Sequence, residues 1–158
     1  MTVTFCGHRQ MEHGAEVTAW LRNVVEDLIR EGAVTFYLGG MGAFDRLAAS
    51  VVRESKARHP HIQLVLVLAY LEAGRDCAGY DYSLYPSLES VPRRYAIVHR
   101  NRWMVEAAHV VVGYVLHSWG GAAATLSWAR QKKKRIISFV ERPAPSRDES
   151  PALSLIHI

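Results

Sequence analysis

The chain has 158 residues, 49% hydrophobic and 22% charged, and 19 lysines and arginines against 15 carboxylates give a formal charge of +4. This length suits one domain around one core; no apolar run reaches the ~18 residues that cross a bilayer, and "MTVTF" opens as a strand without a basic leader, so a cytoplasmic protein without a membrane partner is expected. Cys6 and Cys77 stand far apart in unlike contexts, which fits neither a disulfide framework nor a metal-ligand spacing, and neither metal nor cofactor is expected.

In chain order, five short aliphatic or β-branched runs read as strands: "VTFC" at 3–6, "VTFYL" at 34–38, "IQLVLVLA" at 62–69, "HVVVGYV" at 109–115 and "RIISFV" at 135–140. None alternates strictly between polar and apolar residues, as expected of strands covered on both faces in a parallel sheet. Helical spacing appears between them at about 15–31, 43–58, 94–108 and 121–133. The first helix places Val17, Trp20, Leu21, Val24, Val25, Leu28 and Ile29 on one stripe and meets a stop at Gly32. The alternation predicts an α/β fold, a three-layer Rossmann-like doubly wound parallel sheet of five strands in the order 3-2-1-4-5, with ligands at its carboxyl edge.

The one long connection, residues 70–93, invites the reading of a substrate lid. Its Tyr80, Tyr82 and Tyr85 suit either stacking on a base or packing of the loop on its own domain. The basic run Lys132 to Arg135 reads as a solvated helix end that complements the dipole. A domain over 1–141 and a disordered tail over 142–158, rich in proline, serine and charge, are expected. The final "LSLIHI" is similar to a translated sequencing adapter, so Leu153 to Ile158 carry no functional argument.

Four clusters could bind an anion. Gly7, His8 and Arg9 follow the first strand, where a glycine permits a sharp turn and two donors suit phosphate or ribose oxygens. "LGGMGAFD" follows the second, and Gly39, Gly40 and Gly42 could turn successive amides to a phosphate; Asp45 could accept from a ribose hydroxyl or cap its own helix. On the helix before strand four, Ile97, Met104, Ala107 and Ala108 mark a buried stripe with Arg100 beside it, facing the cleft, while Arg102 and Glu106 are spaced as a surface pair. In "HSWGGAAATLSWA", residues 117–129, Gly120 and Gly121 permit close approach, and the following amides with the Thr125 hydroxyl could hold a phosphate at a helix start.

Taken together, "GHR", "GGMGAFD" and "RNRWMVEAAHVVVGYVLHSWGGAAATL" resemble, over about residues 3–140, the SLOG superfamily, which includes the LOG phosphoribohydrolases and the DNA-processing proteins of transformation. Short bacterial members that open with "GHR" are the most similar. The LOG enzymes carry an arginine four residues before a methionine, which falls here on Arg100 and Met104. Their PGGxGTxxE loop corresponds to "WGGAAATLSW": Thr125 matches after one extra residue, and Ser127 or Trp128 stands in the place of the glutamate. Cleavage of an N-ribosidic bond needs that carboxylate, which Ser127 does not replace.

The leading expectation is therefore binding of a nucleotide or nucleotide-derived ligand, in a sensing or regulatory role. A nucleotide N-ribohydrolase with Arg100 on the phosphate or leaving group and Asp45 as the remaining carboxylate is the alternative. Single-stranded DNA binding ranks third, because no continuous basic and aromatic groove is legible. The resemblance also allows a homodimer.

Overall fold

The computed structural model describes residues 1–72 and 76–141; the expected tail lies outside them. In order the chain forms β1 (Thr2–Gly7), α1 (Gly14–Arg30), β2 (Thr35–Leu38), α2 (Ala43–Lys56), β3 (Gln63–Val67), β4 (Tyr82–Leu84), a single 3-10 turn (Arg93–Tyr95), α3 (Ala96–Ala107), β5 (Val110–Tyr114), α4 (Gly121–Gln131) and β6 (Arg135–Ser138). The sheet is parallel throughout, in the order β4-β3-β2-β1-β5-β6. Six strands thus replace the five expected; the expected order survives as the run β3-β2-β1-β5-β6, to which β4 is added at one edge.

The additional strand comes out of the long connection. Asp81 accepts a hydrogen bond from the Leu64 amide at 2.7 Å and pairs with Lys56, which lays Tyr82 to Leu84 beside Val65 to Val67. Tyr80 packs against the core beneath the Arg53 guanidinium, 5.3 Å from the ring centre. Residues 79–84 of the connection are therefore clamped to α2 and β3, and there the expectation of a lid meets a segment whose backbone and carboxylate are engaged in the sheet.

Side chains alternate between two helical layers. Val3 and Phe5, Phe36 and Leu38, Leu64, Val110, Val112 and Tyr114 face α1 and α2 in the larger core, while Cys6, Val65, Val67 and Val111 face α3 and α4. Burial on both faces explains the missing polar alternation in the strand sequences. Gly32 ends α1 at φ +109, as its stop position implied, with the Ala33 amide donating to the Leu28 carbonyl at 2.9 Å.

From β1 the chain builds outward through β2, β3 and β4, then crosses back through α3 to place β5 on the other side of β1. The chain after β1 and the chain after β5 consequently lead to helices on opposite faces of the sheet, α1 and α4, and at such a point a doubly wound sheet opens a crevice.

Candidate functional site

A cleft of about 700 Å³ occupies that crevice. Phe5, Cys6 and Tyr114 form its floor, residues 7–12 after β1 one wall, Ile97, Arg100, Asn101 and Met104 of α3 another, and Gly120, Gly121, Ala122 and Thr125 the start of α4. Met41, Asp45, His117, Trp119 and Glu141 complete it. Of the residues singled out in sequence, Gly7, His8, Arg9, Asp45, Arg100, Gly120, Gly121 and Thr125 thus meet at one cleft, whereas Gly39, Gly40 and Gly42 do not line it.

Two helices start at the carboxyl edge with the same backbone device. Gly42 at φ 90, ψ 173 precedes α2, and Gly120 at φ 92, ψ 177 precedes α4, a region of backbone space essentially confined to glycine. Their surroundings differ. At α2, the Ala43 amide donates to the Arg9 carbonyl at 2.8 Å and the Met41 amide to Asp45 Oδ2 at 3.0 Å, and a β-carbon on Gly42 would stand 2.7 Å from Arg9 Cα. The loop after β1 covers that helix start. At α4, a β-carbon on Gly121 would meet nothing within 4 Å, and one on Gly120 only a ring carbon of His117 at 3.9 Å. The amides of Gly121, Ala122 and Ala123 have no partner among the described residues, and they carry the positive end of the helix dipole.

Beside those amides stands a ladder of rings. His8 stacks on His117 with centroids 4.1 Å apart at 21°, and His117 on Trp119 at 3.9 Å and 12°. The parallel pairing of Gly7 with Tyr114 carries both loops off the sheet together and brings the two histidines into contact. Each rung is held separately: His8 Nε2 accepts from the Leu116 amide at 2.9 Å, and His117 Nδ1 lies 2.9 Å from the Trp119 carbonyl. The Tyr114 hydroxyl donates to the Glu12 carbonyl at 3.1 Å and accepts from the Glu12 amide at 3.3 Å, which pins the loop after β1. Burial and the neighbouring His117 lower the pKa of His8, so its ring favours the neutral form that accepts from Leu116. Trp119 is 70% exposed; one indole face rests on His117 and the other meets solvent.

Arg100 is only 2% exposed and lies on the buried stripe of α3 rather than beside it. Its guanidinium donates to the carbonyls of Gly39 at 3.0 Å and Val67 at 3.1 Å and to Asn101 Oδ1 at 2.9 Å. It thereby ties α3 to the carboxyl ends of β2 and β3 while forming part of the cleft wall. A β-carbon on Gly39 would stand 2.7 Å from the guanidinium carbon, and one on Gly7 2.3 Å from the Phe44 ring. In both places the glycine admits a protein side chain.

Asp45 accepts from the Met41 amide just ahead of its own helix, as the capping reading expected, and it also lines the cleft. Burial pushes its pKa up to about 6; the Met41 bond and the more distant cations of Arg100, Arg46 and Arg9 offset part of that rise. Desolvation, reinforced by Asp45, pushes the Cys6 thiol up to about 12. The Thr125 hydroxyl donates to the Gly121 carbonyl of its own helix at 2.9 Å, which leaves its lone pairs to the cleft. Arg102 does not pair with Glu106: it lies over the Trp128 ring at 4.5 Å, and Glu106 instead pairs with Lys132 at 3.5 Å.

Sequence reasoning missed His117 and Trp119. Their signal was two aromatic rings directly ahead of a glycine pair at a strand end, but the third ring of the ladder lies more than a hundred residues earlier.

No protein-family model matches the chain, and no curated protein matches it in sequence. Solved structures that share its fold include two of DNA processing protein A. DNA processing protein A from Helicobacter pylori, described for its mode of single-stranded DNA binding, matches with a TM-score of 0.62 at 14% identity over 99% of this chain and 72% of that one. DNA processing protein A from Streptococcus pneumoniae matches with a TM-score of 0.64 at 16% identity, over 99% of this chain and 56% of that one. The chain thus spans little more than half of the second protein. The likeness is one of fold, a Rossmann-like α/β domain.

Proposed function

We propose that the chain binds single-stranded nucleic acid at this cleft, with one phosphate on the first amides of α4 and the adjoining base stacked on the open face of Trp119. The observation that carries the reading is the His8–His117–Trp119 ladder, a rigid aromatic platform that ends in solvent beside an open helix N-terminus. A base-paired nucleotide could not present its face there, while an unpaired one can, and stacking accepts any base. The reported single-stranded DNA binding of the Helicobacter pylori protein supports this choice over free-nucleotide sensing. Arg9, exposed at the cleft and without an ion pair among the described residues, supplies a cation for the same phosphate.

The test is a titration of the protein with a short oligothymidylate, followed by tryptophan fluorescence at several salt concentrations. Binding should quench Trp119 and weaken as salt rises. Trp119→Ala should cost about 1–3 kcal/mol, the usual value of one base on an aromatic ring. Binding that ignores salt, or a Trp119→Ala protein that binds unchanged, overturns the reading.

A second reading, a free nucleotide or nucleotide-derived ligand, draws on the cleft volume of about 700 Å³, which lies within the ~300–1,000 Å³ usual for small-molecule sites. Under it a mononucleotide binds as tightly as the oligomer. Hydrolysis of its N-ribosidic bond would then fall to Asp45, and chromatography of the incubated nucleotide would show released base in the native protein and none in Asp45→Asn.

A further inference from the structure

The charge of the chain is segregated between its two helical layers. Residues 93–135, which supply α3, β5, α4 and the first residue of β6, hold nine lysines and arginines and a single carboxylate, Glu106. Residues 1–62, which supply α1 and α2, hold seven cations and seven carboxylates. In that layer the numbers balance: Arg22 pairs with Glu54 at 3.2 Å, Arg30 with Asp27 at 3.3 Å, Arg58 with Glu26 and Lys56 with Asp81. Arg9, Arg46 and Arg53, which make no ion pair among the described residues, are matched in number by carboxylates of the same stretch. On the α3 and α4 side, Arg93, Lys132 and Arg135 find Glu72, Glu106 and Glu31, Arg100 is buried on carbonyls, and Lys134 donates to the Glu106 carbonyl at 3.1 Å. Arg94, Arg102, Arg130 and Lys133 remain exposed, with no carboxylate partner among the described residues.

Two of these four are held in place. Arg94 lies over the Tyr95 ring at 4.8 Å and Arg102 over Trp128 at 4.5 Å. A guanidinium ordered on a ring keeps its planar donors and loses little freedom on meeting a phosphate. The four are also spread along the layer. Arg94 precedes α3 at the cleft end, Arg102 lies midway, and Arg130 and Lys133 stand at the far end of α4. Twelve residues of α3 span about 18 Å at 1.5 Å each, more than one phosphate-to-phosphate step of a nucleic acid strand.

We infer that the outer surface of α3 and α4 is a second contact face for the strand held in the cleft, its phosphates running past Arg94 and Arg102 toward Arg130 and Lys133. The inference rests on the single-strand reading of the cleft. It assigns the two parts different work: the cleft grips one nucleotide by stacking and amide bonds, and the helical face adds electrostatic affinity that grows with strand length.

The experiment measures the anisotropy of labelled oligothymidylates, a 20-mer and a trimer, against salt for three proteins: the native chain, Trp119→Ala, and Arg94→Gln/Arg102→Gln/Arg130→Gln/Lys133→Gln. Each phosphate neutralised on a single strand contributes about 0.7 to the slope of log affinity against log salt, so the fourfold variant should bind the 20-mer with a slope about 2 to 3 smaller. Its trimer affinity should stay within about twofold, because a trimer seated in the cleft cannot cover the face. A native slope in the fourfold variant, with Trp119→Ala still weakened, overturns the face and leaves the cleft reading intact. Failure of the native chain to bind either oligomer overturns both. Equal affinity for a 20-base-pair duplex also overturns the inference. Should the fourfold variant not fold, Arg130→Gln/Lys133→Gln removes two side chains that make no ion pair or side-chain hydrogen bond among the described residues, and it should lower the slope by about 1.4.

Discussion

Asp45→Asn should stabilise the protein at neutral pH and change little in acid. Among the described residues the carboxyl accepts a single hydrogen bond, from the Met41 amide at 3.0 Å, and no cation comes within ion-pair distance. Burial therefore raises its pKa from 3.8 to about 6, so the folded protein keeps a proton that the unfolded chain has lost. At 1.36 kcal/mol per pH unit the gap amounts to about 3 kcal/mol, which partial exposure to the cleft reduces to about 2. The sign follows from the raised pKa of an acid: below 3.8 both states are protonated and the cost is absent, it grows as pH rises through the window, and it is complete above about 6.

Asparagine keeps an oxygen for the Met41 amide and carries no charge at any pH. Urea unfolding of both proteins should accordingly show a difference below about 1 kcal/mol at pH 4 and a gain for the variant of about 2 kcal/mol at pH 8. In thermal unfolding the same gain at pH 8 corresponds to about 4–8 °C for a domain of this size. A variant that is less stable at pH 8, or equally shifted at both pH values, refutes the assignment of Asp45 as an under-solvated ion. An unfavourable charge kept on the wall of a cleft also fits a site that sacrifices stability for function.

Gly39→Ala should cost about 1–3 kcal/mol, because its methyl would enter the Arg100 guanidinium at 2.7 Å, and a crystal structure should show Arg100 withdrawn from the Gly39 carbonyl. Arg100→Met should cost more than Gly39→Ala in urea unfolding, since it strips the carbonyls of Gly39 and Val67 of a charged donor while both stay buried. His8→Phe keeps a ring in the ladder but removes the acceptor of the Leu116 amide; that amide should exchange faster with solvent, with a stability loss of about 1–3 kcal/mol if it finds no other partner. The Cys6 thiol, 7% exposed and raised to about 12, should resist iodoacetamide at pH 8 in the native protein and react after unfolding, as read by peptide mass mapping.

What the sequence disclosed depended on how local each cause is. The buried strands announced themselves because both faces are covered, and the order of the five expected strands followed from the length of one connection. β4 was hidden because its three residues are positioned by Asp81, whose contacts to Leu64 and Lys56 lie 17 and 25 positions away. The glycines at 39 and 42 look in sequence like an anion loop, yet a glycine signals only that something approaches closely. Here the visitors are Arg100 and Arg9. The ring ladder was unreadable for a similar reason: His8 meets His117 only once β1 and β5 pair in parallel.

The two matching helix starts locate the site more firmly than either glycine motif alone. Gly42 and Gly120 share a backbone conformation, and both helices project from the same sheet edge, so the dipole gives each N-terminus the same attraction for an anion. Binding competence then turns on which start the protein has already filled. The Arg9 carbonyl and the Asp45 carboxyl answer the amides at α2, and a phosphate there would have to displace an oxygen of the chain itself. At α4 the amides open onto the cleft, and the ring ladder stands beside them with no capping side chain among the described residues. The same segment, residues 7–9, produces both results, since its backbone closes one helix start while its His8 ring builds the platform beside the other. Anion affinity and base stacking at α4 are thus coupled through the conformation of one short loop, so a substitution that releases Arg9 from α2 should disturb the ladder as well.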